Sequence, residues 1–188
     1  MEALSLLQNR FSEKKLVAPA PNKEELTQMF RAALRVPDHA TLKPYHFYVL
    51  EGEEQMQKLS ELMLDCCREL DLPEKFVEKA QKFAKRAPQV IAVVAKVDPN
   101  HKKVPVWEQV VTAGCATYAI QLAANAMGYD NVWITAKWVQ GTAMRQYFNC
   151  EADDQIVALL LSGTAKERKE KEDKKASKYL DDYVTYLK

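Results

Sequence analysis

Helices interleaved with three or four short strands predict an α/β or α+β domain in which one sheet is wrapped by helices. Three observations carry that prediction. Val90-Ile91-Ala92-Val93-Val94-Ala95 is a continuous apolar run, the pattern of a central strand covered on both faces. Ile156-Val157-Ala158-Leu159-Leu160-Leu161 repeats the pattern. Between them, Trp107 to about Met127 reads as one long helix, apolar on nearly every side.

The elements follow in order. Residues 2–9 suit a short amphipathic helix with Leu4 and Leu7 on one face. Asn9-Arg10-Phe11-Ser12 and the basic pair Lys14-Lys15 lead to a stiff connector, Pro19-Ala20-Pro21-Asn22, whose Asn22 is placed to cap a helix beginning at Lys23. That helix carries Leu26, Met29, Phe30, Ala33 and Leu34 at helical spacing and ends at Arg35. Pro37 and Pro44 bracket an irregular loop from Pro37 to Leu42, because the residue before a proline is pushed out of the helical region. His46 to Leu50 reads as a strand. A helix bearing Met56, Leu59, Leu62 and Met63 follows, then a second from Pro73 to about Arg86. After the first core strand, Lys96 to Val104 is a loop, and the long helix opens at Trp107. Its apolar residues Val110, Val111, Cys115, Tyr118, Ala119, Leu122 and Ala126 call for packing on all sides. In so small a domain that implies a partner chain as well as the sheet. Asn131 to Ala136 is a further strand, Gly141 to Asn149 a short helix, and the last core strand is expected to end at Gly163. About 166–188 then forms a charged C-terminal arm with an apolar tip. The alternation resumes at Tyr183-Val184-Thr185-Tyr186, which favours docking of the tip as a strand on a partner.

At 188 residues the chain suits a single domain with a substantial core. An apolar share of 47% beside 28% charged residues places it among ordinary globular proteins. The net charge of +1 gives no field that would draw nucleic acid or an anionic membrane. Met1-Glu2-Ala3-Leu4 carries an acid and precedes no long apolar run, so no signal peptide is expected. The most apolar stretch contains Tyr118, Gln121 and Asn125, which suits a buried helix better than a membrane span. Cys66, Cys67, Cys115 and Cys150 show no CxxC spacing and are expected as reduced thiols of a cytoplasmic protein.

Several familiar chemistries are excluded. Only five glycines are present, Gly52, Gly114, Gly128, Gly141 and Gly163, and no GxGxxG or GxxxxGK[ST] occurs. A bound phosphate must therefore be held by charged side chains, and arginine suits it because its fork binds phosphate bidentately. His39, His46 and His101 lie in separate segments without HExxH or Cys/His spacing, so no metal site is expected. No GxSxG elbow supports a serine hydrolase. The loop carrying Asp38 and His39, with Arg35 at the helix end before it, reads by itself as an ordinary helix-to-strand connection with a solvated histidine, and it also suits an anionic or heteroaromatic ligand.

An ordered set of short stretches then comes into view. Asn9-Arg10-Phe11-Ser12, Arg31-Ala32, Arg35-Val36-Pro37-Asp38-His39 and Pro44-Tyr45-His46-Phe47 begin it. Val93-Val94-Ala95-Lys96, Pro105, Trp107-Glu108-Gln109, Ala113-Gly114-Cys115-Ala116, Trp133 and Val184-Thr185-Tyr186 complete it. The set resembles one family, the flavin-dependent nitroreductases, and within it the short YdjA-like branch. The resemblance implies an α+β nitroreductase-like fold, a mostly antiparallel sheet wrapped by helices around a long central helix, in an intertwined homodimer. It implies FMN at the subunit interface and NAD(P)H as co-substrate. Hydride would pass in ping-pong fashion through FMN to a nitroaromatic, quinone or similar small acceptor. Carried over residue by residue, Arg10, Phe11 and Ser12 contact FMN from one chain, and Arg35 and His39 reach it from the other. Trp133, Ile134 and Thr135 occupy the later FMN segment. Ala123, Ala124, Asn125, Ala126, Met127 and Gly128 occupy the nicotinamide-nucleotide segment. No catalytic side chain is implied, since solvent supplies protons. The sequence departs from the pattern at Phe11, where the family has a second arginine, and at Ile134, where the branch has a basic residue. It also has Lys43 and Tyr45 where the branch has Gln and Trp. Lys14, Lys15 and Lys137 stand near the lost charges. The alternative reading is a flavin-fold protein that binds a ligand or partner without turnover.

Overall fold

The structure, a computed structural model, describes residues 2–167 and 180–187. A five-stranded sheet carries helices on both faces. In chain order the elements are α1 (Ala3–Asn9), β1 (Leu16–Val17), α2 (Lys23–Ala33), β2 (His46–Glu51), α3 (Gly52–Glu69) and α4 (Glu74–Gln81). Then come β3 (Gln89–Ala95), α5 (Val106–Ala126), β4 (Asp130–Ile134), α6 (Thr142–Tyr147), β5 (Gln155–Ala165) and α7 (Leu180–Tyr183). Every strand pair is antiparallel: β2 on β3, β3 on β5, β4 on β5, and β1 on the end of β5. This is the expected α+β class, with the two continuous apolar runs as its central strands.

Strand alternation sorts the core into two layers, because successive side chains leave opposite faces. Val90, Ala92, Val94, Val132, Leu159 and Leu161 face α3, α4 and α6. Ile91, Val93, Ala158 and Leu160 face α2 and α5, where they meet Met29, Ala33, Ala116 and Ile120. The α2 boundary is set as its sequence demands. Asn22 accepts from the Glu25 amide at 3.0 Å while Glu25 accepts from the Asn22 amide at 2.8 Å, a complete capping box.

Three expectations change. The helix expected from Pro73 to about Arg86 stops at Gln81, and Phe83–Lys85 form a tighter turn. The Ala80 carbonyl accepts the buried Ser60 hydroxyl at 2.5 Å, and Phe83 drops into the core. β5 runs through Gly163 instead of ending there. A Cβ at that glycine would lie 2.8 Å from the Val17 carbonyl, so glycine serves close approach of β1. Leu34, placed on the inner stripe of α2, is exposed. At the C-terminal tip, the helical turn α7 ends at Tyr183 and Val184–Leu187 are exposed on the single chain. The rest of the arm between 168 and 179 lies outside the described residues.

The burial of α5 is one-sided in the single chain. Its buried side includes Gln109, Thr112, Thr117 and Gln121, whereas Trp107, Val111 and Tyr118 are 65%, 55% and 39% exposed. The two buried glutamines are satisfied. Gln109 accepts from the Asp98 amide at 2.8 Å and donates to the Asp98 and Val104 carbonyls, both at 2.9 Å. Gln121 and Asn131 exchange hydrogen bonds at 2.7 and 3.1 Å. A buried amide that keeps its partners is tolerated in a core. Apolar weight is left on the open side, the side for which the sequence calls for a partner chain.

Candidate active site

The sequence-predicted residues fall into three groups, each fixed by a different element. Arg10, Phe11 and Ser12 form the extended link between α1 and β1. The link is fastened where the Glu13 amide donates to the Asn131 carbonyl at 3.0 Å, and α1 rests against α5. Arg10 is half-buried and has no hydrogen bond or ion pair among the described residues. Lys14 and Lys137, the nearby cations, are exposed.

Arg35 and His39 stand at the other end of α2. Arg35 is exposed just past the helix, its amide donating to the Ala32 carbonyl at 3.0 Å, and its guanidinium also lacks a partner among the described residues. The loop beyond it is tightly fastened. The Asp38 carboxylate accepts from the Leu42 amide at 3.1 Å and from the Lys43 amide at 2.9 Å. His39 Nδ1 donates to Glu108 Oε2 at 2.7 Å, since a carboxylate offers only acceptors. Asp38 is therefore a loop fastener and not the partner of His39. Tyr45, in place of the branch's Trp, stacks on Phe47 with ring centroids 5.1 Å apart. Burial first, then the Asp38 charge, pushes its phenol up.

Alternation in β4 divides the third group. Trp133 faces α5, where its ring packs on Gly114, and its Nε1 donates to the Val157 carbonyl at 3.1 Å. Ile134 faces the opposite way, into the layer with α3 and α6. The basic residue of the branch is thus replaced by a core side chain. Thr135 follows the strand and is exposed. Ala123 to Gly128 are the last turn of α5 and its cap. Gly128 takes φ +89, and the Tyr129 amide returns to the Ala124 carbonyl at 2.9 Å. Ala124 is buried there, whereas Ala126 and Gly128 are exposed.

One chain does not bring the two arginine groups together. The His39 loop is pinned at Glu108, and the Arg10 segment is pinned beside Asn131, which pairs with Gln121. At the rise of an α-helix, those two anchor points lie about 20 Å apart along α5. Sequence reasoning did not single out Glu108 as part of the site. An acid in the first turn of a helix is favoured by the helix dipole in any case, so nothing in the chain tied it to a histidine 69 residues away.

Comparison with known proteins shows the family of the chain. The sequence model of the Nitroreductase family matches residues 7–164. A Haemophilus influenzae protein provisionally named NAD(P)H nitroreductase is 52% identical over 189 residues, covering 100% of both chains. Escherichia coli YdjA, which carries the same provisional name, is 41% identical over 164 residues, 87% of this chain and 88% of its own. Among solved structures, a nitroreductase-like family protein from Bacillus cereus superposes with a TM-score of 0.82 at 18% identity, covering 99% of this chain and 96% of that one. A nitroreductase with bound FMN from Desulfitobacterium hafniense superposes at 0.70 with 19% identity, covering 98% and 97%. Sequence and fold lead to one place: the chain belongs to the nitroreductase family.

Proposed function

We propose that the protein is an FMN-dependent NAD(P)H oxidoreductase that works in the cytoplasm as a homodimer with a shared site. One arrangement carries this reading. Two half-sites, each with an arginine lacking a partner among the described residues, are pinned at points well separated along α5, whose outer side exposes Trp107, Val111 and Tyr118. A second copy laid on that face would bury the apolar stripe and set Arg35 and His39 of one chain beside Arg10 and Ser12 of the other.

The residues present fit FMN. Arg10 and Arg35 offer guanidinium forks suited to phosphate and to the polar edge of a flavin. The Arg10 segment is pinned at Asn131, two residues before Trp133 on β4, and Trp133 is held on α5. Phe11 and the inward-facing Ile134 supply no charge, so Lys14 and Lys137 take over part of that role. When bound, FMN supplies the two-electron redox chemistry between NAD(P)H and an acceptor such as a nitroaromatic or quinone. The protein's part is to bind, orient and exclude water. The exposed Ala126 and Gly128 are the points of Ala123–Gly128 open to a nicotinamide nucleotide.

The test is the visible spectrum of the purified protein before and after FMN is added and the sample desalted, followed by anaerobic NADPH or NADH. Retained flavin absorbance that bleaches with either nucleotide is the expected result. A protein that keeps no flavin would overturn the reading and leave a binding role on the same fold.

A further inference from the structure

We infer that Glu108 is a positioning residue of the cofactor site, fixing the His39 ring so that Nε2 is left to face the ligand. This rests on the reading of His39 as a cofactor contact given above. The His39 loop is unusual in its backbone. Ala40, Thr41 and Lys43 all take left-handed φ, at 58°, 54° and 49°. Such values are uncommon outside glycine and are least expected of a β-branched threonine. Backbone of this kind persists only where its surroundings over-determine it. Three fastenings do so here. Asp38 ties the loop to itself through Leu42 and Lys43, which fixes its shape but not its place in the molecule. Its far end is tied beside β3 where the Lys96 amide donates to the Pro44 carbonyl at 3.2 Å, and His39 Nδ1 with Glu108 ties its near end to the first turn of the 21-residue α5.

The chemistry of the pair sets the ring's orientation. A carboxylate accepts only, so the Glu108 bond keeps a proton on Nδ1 and turns Nε2 away from α5. The His39 side chain remains 53% exposed and that of Glu108 29%, so the ring keeps an open edge while one nitrogen is committed. A carboxylate behind a ligand-contacting histidine is the usual means of holding one tautomer and one ring angle. An electrostatic preference for an acid at a helix start would place Glu108 there without the histidine, and the experiment separates the two roles.

Full-length wild type, Glu108→Ala, Glu108→Gln and His39→Ala are compared in two measurements. FMN dissociation constants come from flavin fluorescence titration. Ring tautomers come from long-range proton–nitrogen correlation at alkaline pH, readily assigned because the chain has three histidines. Wild type is expected to carry the His39 proton on Nδ1. Glu108→Ala should shift it towards Nε2 and raise the FMN dissociation constant roughly three- to tenfold. Glu108→Gln, whose amide oxygen still accepts, should restore both. The double variant His39→Ala/Glu108→Ala should bind FMN no worse than His39→Ala alone. If His39→Ala weakens FMN while Glu108→Ala changes neither affinity nor tautomer, the positioning role is overturned and the cofactor reading stands. If His39→Ala leaves FMN affinity untouched, the cofactor contact itself is lost, and the positioning role falls with it.

Discussion

Arg10 and Arg35 each sit at the end of a helix, α1 or α2, and neither guanidinium has a partner among the described residues. Their substitution should therefore separate function from stability. Arg10→Ala and Arg35→Ala are each expected to weaken FMN binding by about 1.5–3 kcal/mol, the range for hydrogen bonds to a charged group. Thermal melts of the flavin-free protein should stay close to wild type; an equal loss of melting temperature would show the arginines to be structural. Asp154 behaves in the opposite way. It is buried, is paired with Lys96, and accepts from the Val97 amide at 3.0 Å and the Glu151 amide at 2.8 Å. Burial alone would push its carboxyl up, but the bonds from Lys96, Glu151 and Val97 together hold it below the usual carboxylate range. A depressed folded-state value means the stabilisation is fully present above the ordinary Asp pKa of about 3.9 and is lost as pH falls through the folded value. Asp154→Asn should cost about 2–4 kcal/mol at neutral pH in a denaturant melt, and the difference from wild type should shrink only under strong acid.

At the scale of elements, helix starts and strand cores were legible, and helix ends were not. Asn22 announced α2 because a cap is a local device, and Asn22→Ala should cost about 1 kcal/mol by urea denaturation. The end of α4 was hidden because the group that takes the Ala80 carbonyl, Ser60, lies on another helix. Gly141 was visible as a glycine, but not as a packing contact. A Cβ there would lie 2.4 Å from Cys66 Sγ and 3.1 Å from the Cys66 Cα, so α3 and α6 meet through it. Gly141→Ala should force the two helices apart and cost about 1–3 kcal/mol, read as a lowered melting temperature. The closing Tyr183–Tyr186 alternation suggested a strand, yet a run so short does not choose between strand and helix. In the single chain α7 ends at Tyr183, and Val184–Leu187 take neither form.

For the whole molecule, the apolar residues on the open side of α5 are decisive. Trp107, Val111 and Tyr118 face outward while Gln109 and Gln121 are buried. An exposed apolar stripe of this kind marks an interaction surface. Val111→Glu leaves the interior of the chain untouched, since Val111 is 55% exposed. Light scattering coupled to size exclusion should give twice the 21.5 kDa chain mass for wild type and a single chain mass, with FMN lost, for the variant. A wild-type monomer at micromolar concentration would defeat the shared-site proposal.

The sequence by itself determined the α+β class, the two central strands, the capped α2 and the apolar excess of α5, because these follow from local spacing and short-range chemistry. It also carried the family pattern in which Arg10, Arg35 and His39 stand. Tertiary structure alone decided that Trp133 faces α5 while Ile134 faces α3, that Asp38 fastens its own loop, and that Glu108 holds His39. Those outcomes depend on register and on contacts between residues far apart in the chain. A pattern with a period of two or of 3.6 shows that a residue has a face, but only packing shows what that face meets.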